Sequence, residues 1–110
     1  MAYSAEFVQA VKDKLHVTYS DLATDRRIES SIMPAAEGDL RSLLGIGEDR
    51  DGFTFETEGT VENELFLNHC WYAWNDASDD FEENYAAKIA RCRMKWAGVD
   101  YAAQQEAGEL

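Results

Sequence analysis

Asp49, Asp51 and Glu58 come nearest to the spacing of a chemical site. An EF-hand calcium loop sets acids at positions 1, 3 and 5, glycine at 6 and glutamate at 12. With Gly52 at the glycine position, Asp49, Asp51 and Glu58 fall on three of the acidic positions, and helical patterns flank the loop. The first ligand is missing, because Gly47 stands there, and Thr54 occupies a position that is usually aliphatic. A small calcium-responsive binding module using this loop is therefore an alternative reading. Zinc would require all of His16, His69, Cys70 and Cys92, and no two of them sit at Cys-x-x-Cys or His-x-x-x-His spacing. His69 and Cys70 are adjacent, so on a helix they point to different sides. His16 reads as a loop histidine. The pairs Asp79–Asp80 and Glu82–Glu83 read as helix-start acids favoured by the dipole rather than as acid/base catalysts. There is no glycine-rich phosphate loop and no nucleophile elbow. The reading is a non-enzyme with no catalytic residues, no cofactor and no metal.

What remains is the chemistry of surfaces. Trp71, Tyr72, Trp74, Phe81, Tyr85 and Trp96 are more aromatic area than one helical hairpin buries by itself, so some should face another chain. The net charge of −12 is uneven: residues 45–84 hold twelve acids against Arg50 alone, whereas residues 85–110 hold four bases and three acids. An acidic middle argues against gripping nucleic acid, which needs bases to displace counterions. It suits a solubilising surface, or one that must not stick to DNA. The candidate interface residues are Phe53, Phe55, Trp71, Trp74, Lys88, Arg91, Arg93, Lys95 and Tyr101.

The elements that position these residues follow from periodicity. One domain is expected over residues 1–97, with residues 98–110 as an arm, flexible or ordered on a partner. Residues 1–15 lack the apolar run of an export signal, and no stretch nears the ~18 apolar residues of a membrane span. Without an export signal, Cys70 and Cys92 read as reduced core residues. The fold class is all-α: a small bundle of about four helices near 4–15, 22–44, 61–75 and 80–97.

Ser4 caps the first helix, whose face is Phe7, Val11 and Leu15. The second carries Ile28, Ile32, Ala35 or Ala36, Leu40 and Leu43 or Leu44, with Pro34 inside it. The proline either kinks one helix or separates two, and the unbroken stripe favours a kink. Gly45 closes it in the left-handed conformation, with Ile46 folding back. Residues 47–60 form a long acidic loop, usually a functional or mobile feature in so small a domain. The alternation Phe53-Thr54-Phe55-Glu56-Thr57 allows a short strand, with the two phenylalanines docked on a neighbour or on their own domain. Thr60 caps the third helix, which is apolar on nearly every side from Leu65 to Trp74 and must be covered. A short link at 76–79 forces an antiparallel hairpin onto the fourth helix, capped by Ser78 or Asp79 and ended by Gly98. Its stripe is Phe81, Tyr85, Ile89, Cys92 and Trp96, with Trp96 covering the third helix.

These residues carry a resemblance. A short helix is followed by Asp25-Arg26-Arg27-Ile28 opening a long helix that closes on Leu43-Leu44-Gly45-Ile46. After the acidic loop come Leu65-Phe66-Leu67-Asn68-His69-Cys70-Trp71-Tyr72-Ala73-Trp74-Asn75 and then Asp80-Phe81-Glu82-Glu83-Asn84-Tyr85. Over residues 5–97 the chain resembles the head–tail connector (head-completion adaptor) family of tailed bacteriophages, most specifically in its second half. The resemblance implies a virion protein in the neck between head and tail, made in the host bacterial cytoplasm. It implies a ring, typically of about twelve copies, beneath the portal protein. Packaged DNA passes through the ring without specific binding, and a tail-side stopper or tail-completion protein docks below. The carboxyl-terminal segment would reach toward the portal. No membrane and no cofactor are implied. A cytoplasmic helical domain that binds one protein partner is the remaining alternative.

Overall fold

Ser4 opens the first helix: its hydroxyl accepts from the Phe7 N–H at 3.2 Å and starts α1 (Ala5–Lys14). The helix ends where His16 turns left-handed at φ 61°. There the His16 and Val17 N–H groups bond back to the Asp13 and Lys12 carbonyls, a closure that glycine usually serves. The computed structural model describes residues 3–48, 50 and 52–108 and is all-helical, with no strand among them.

Asp21 caps the next run, accepting from the Thr24 N–H at 3.2 Å. The run proceeds as α2 (Leu22–Arg27), a π-helical segment (Ile28–Ile32) and α3 (Met33–Leu44). Of the two outcomes weighed for Pro34, separation into two helices does not occur. The chain stays helical, and the turn before the proline widens so that the Met33 N–H reaches the Ile28 carbonyl. A π turn there leaves the carbonyls ahead of Pro34, which cannot donate, in a wider geometry. Gly45 then adopts φ 72° and Ile46 is buried, as the closing motif requires.

Thr60 caps α4 (Val61–Trp74) through the Asn63 N–H at 3.1 Å. This helix is central. Leu65, Phe66, His69 and Cys70 are buried under α1, α3, α5 and α6, while Leu67, Trp71, Tyr72, Ala73 and Trp74 are half-buried. Its own domain covers most of the apolar helix. The expected fourth helix is two helices, α5 (Ser78–Asn84) and α6 (Ala86–Gly108), broken at Tyr85 (φ −110°, ψ 14°). Ala77 holds the cap position of α5 with no side-chain cap bond, so neither Ser78 nor Asp79 caps it. Gly98 does not end α6, which continues helically through the segment expected to be an arm. The hairpin is antiparallel. Glu62 meets Lys95 and Trp96, Glu64 meets Lys88, and Tyr72 meets Asn84, so partners run backward in α5–α6 as positions advance in α4.

Candidate interaction surface

Arg50, Phe53, Phe55 and Glu56 of the long loop are held against the body. Phe55 is 3 % exposed and lies against Phe66 of α4, with ring centroids 5.3 Å apart. The buried Asn63 amide donates to the Phe55 carbonyl at 2.8 Å. Phe53 is half-buried, edge-on to Phe55 and to Trp96. The Arg41 guanidinium lies over both phenylalanine rings and donates to the Gly47 carbonyl at 2.6 Å. Arg50 stacks over Trp96 and pairs with Asp100, and Glu56 takes a hydrogen bond from Ser4. Of the two placements weighed for the phenylalanines, the chain's own domain takes both: Phe55 is core, which corrects its expected place at an interface, and half-buried Phe53 packs on Trp96. The possible strand at 53–57 is turns instead. Of the calcium pattern, Asp49 and Asp51 lie outside the described residues, and Glu58 lines a groove beside Glu6 and Asp13.

Beneath the loop, a polar clasp joins α4 to α6. Glu62 is 4 % exposed, and its carboxylate accepts from Lys95, from the Trp96 indole N–H at 2.9 Å and from the Cys92 thiol at 3.5 Å. Burial on its own raises the Glu62 carboxyl. The hydrogen bonds from Lys95, from its own backbone and from Trp96, with the Lys95 charge, outweigh burial and hold it below its ordinary value. Burial, with the Glu62 charge added, pushes the Cys92 thiol up to about 11. Burial alone pushes Cys70 up to about 12. Neither thiol is a nucleophile in such surroundings.

Two other buried polar groups tie α3 into the body. Glu37 accepts from the Tyr3 hydroxyl at 2.9 Å and from Arg41 at 3.0 Å, and burial followed by this bond raises the Tyr3 hydroxyl. His69 Nε2 lies 2.8 Å from Asp39, its ring edge-on to Phe81. Its buried Nδ1 has no partner, which costs least if that nitrogen is unprotonated and Nε2–H donates to Asp39.

The basic residues foreseen as an interface divide in two. Lys88 and Lys95 are already paired inside the chain, with Glu64 and Glu62. Arg91 and Arg93 are exposed and have no ion pair among the described residues. Trp71 packs edge-on to Tyr72, and Trp74 lies under the Arg27 guanidinium, 4.5 Å from its centroid; both stay half-exposed. Tyr101 is 64 % exposed on α6. The structure thus brings Arg91, Arg93 and Tyr101 to one helix, places Trp71 and Trp74 on another, buries Phe55, and gives the partly exposed Lys88 and Lys95 acidic partners within the chain. The sequence reading missed Met94, the most exposed large apolar side chain among the described residues, at 73 %. Its signal was present: Met94 stands three residues before Ala97, four before Gly98 and seven before Tyr101.

No protein-family model, no curated protein and no solved structure matches this chain.

Proposed function

We propose that this chain is a structural adaptor of tailed-phage virions, resembling the head–tail connectors. In this reading copies of it assemble as a ring beneath the portal protein in the neck of the virion. The ring extends the DNA channel and links the filled head to a tail-side protein. The observation that carries the reading is a helix built to be used from outside. The 23 residues of α6 span about 35 Å. That exceeds the body's two shorter dimensions of 29 and 21 Å, and Tyr101 to Gln105 are all exposed. A helix end without tertiary cover is marginal by itself, so it calls for a partner. The acidic surface supports the same reading, because it lets duplex DNA slide past without being held.

Two measurements test it. Portal-bearing filled heads mixed with the protein should retain it on sedimentation, whereas heads lacking portal should not. Retention by neither, or by both equally, contradicts the proposal. Calcium titration followed by tryptophan fluorescence separates the adaptor from the calcium-responsive alternative, since the adaptor shows no change.

A further inference from the structure

One face of α6 carries Ala87, Ala90, Met94, Ala97, Gly98 and Tyr101, spaced by threes and fours, all of them exposed. It lies opposite the face that buries Ile89 and Cys92. At about 100° per residue, Arg91 and Arg93 fall on opposite margins of this strip. Gly98 adds a second observation. A glycine inside a helix is destabilising relative to alanine. A Cβ built there meets nothing within 4 Å, so the chain's own packing does not require a glycine. A glycine there leaves room for another backbone to come close. A surface of small residues, two large apolar side chains and flanking guanidinium groups fits a partner that is acidic at its margins and aromatic or apolar at its centre.

The chain has a patch of opposite charge elsewhere. Asp79, Asp80, Glu82 and Glu83 are exposed on α5 and have no ion pair among the described residues. They stand just past the end of α4, where Trp74 is half-exposed with the Arg27 guanidinium over its ring. We propose that the outward strip of α6, between Arg91 and Arg93, is covered by the α5 corner of a second copy of this chain. In a ring the contact is heterologous rather than a reciprocal two-fold pair. Each copy gives α6 to one neighbour and α5 to another, and such contacts close into rings or run on as filaments. Exposed ion pairs are individually weak, so the charges set register and partner choice while Met94, Tyr101 and close approach at Gly98 supply the attraction. The proposal rests on the adaptor reading for its setting, copies held side by side on a portal, and on the chain's own surface chemistry for its residues.

Sedimentation of the full chain, concentrated to its solubility limit at low and high salt, tests it. The parent's average mass should rise with concentration and fall with salt. Arg91→Glu/Arg93→Glu and Glu82→Lys/Glu83→Lys should each stay monomeric, with self-association weakened on the order of a hundredfold. An equimolar mixture of the two should associate again, because the reversed α6 of one meets the reversed α5 of the other. Gly98→Leu should fold at least as stably as the parent by urea unfolding, yet fail to associate. A parent that is monomeric throughout, reversal variants that associate like the parent, a mixture that stays monomeric, or Gly98→Leu associating normally overturns the proposal. Portal binding is scored separately. A self-associating parent that ignores portals sinks the adaptor reading alone. Reversal variants that load onto portals like the parent sink the contact alone.

Discussion

The indole N–H of Trp96 donates to the buried carboxylate of Glu62 at 2.9 Å, joining α6 to the first turn of α4. Lys95 and the Cys92 thiol reach the same carboxylate. All three donors come from one helix and converge on one acceptor, so the clasp fixes how far along α4 the helix α6 sits. A one-residue slip would leave Glu62 buried without its partners, an expensive state.

Glu62→Gln therefore tests the clasp. The neutral amide keeps an acceptor but loses the charge, and half-exposed Lys95 can turn to water, so the cost should be about 1–2 kcal/mol in urea unfolding. The pH dependence has a definite sign. The folded carboxyl is held below its unfolded value, so the unfolded chain binds the proton more readily. Stability from this group is complete above the ordinary carboxylate range and is lost as pH falls through that range to the lowered value. Glu62→Gln should lack this part of the acid destabilisation. Identical pH profiles for parent and variant would contradict it.

Trp96→Ala should cost about 2–4 kcal/mol, somewhat less than the loss of a fully buried tryptophan. The side chain is half-buried, but Phe53, Arg50 and Glu62 all rest on it. Chemical denaturation measures the loss. A value under about 1 kcal/mol would place Trp96 outside the core's cooperative unit.

Phe55→Ser should unfold much of the population, with a loss of about 3–5 kcal/mol, because it opens a cavity against Phe66 and buries a hydroxyl. Phe53→Ser should cost clearly less. Thermal unfolding of both variants distinguishes this from a loop held ready for a neighbour, in which the two substitutions would be equally mild.

Neither thiol should react with a disulfide reagent at mildly alkaline pH while the chain is folded, since burial raises Cys92 to about 11 and Cys70 to about 12. Both should react at once in denaturant. Fast labelling of Cys70 in the native chain would contradict the placement of α4 at the centre.

Signals that act within a turn were legible in the sequence. Ser4 and Thr60 cap helices and Gly45 closes one, because capping is decided by three or four neighbouring residues. The stripe Phe81, Tyr85, Ile89, Cys92 and Trp96 faces inward as read. The same stripe hid the break at Tyr85, since its phase carries across two helices that abut. Gly98 misled for a related reason: glycine stops a helix only when the chain folds back after it, and here Ala97, Ala102 and Ala103 favour continuation. The widened turn had a signal that went unused. Ile28, Ile32, Ala36, Leu40 and Leu44 repeat at a strict step of four, which on an α-helix drifts by about 40° each time. A π turn absorbs part of that drift.

The candidate site was less legible than the fold. Alternation at 53–57 suggested a strand, but the bond that places Phe55 runs from Asn63, eight residues on, and is satisfied only once α4 has formed. The division of the four bases into two that are paired and two with no ion pair among the described residues depends on which acids α4 presents to α6, and composition does not reveal that. Met94 and Gly98 were visible as residues, but they acquire meaning only once α6 runs past Gly98.

The central claim is that this chain completes a portal vertex. Electron microscopy of the protein alone and mixed with isolated portal rings tests it most directly. The account predicts an added layer of density coaxial with the portal channel, bearing the portal's own rotational symmetry or a divisor of it. Portal rings that remain bare at saturating protein would contradict it.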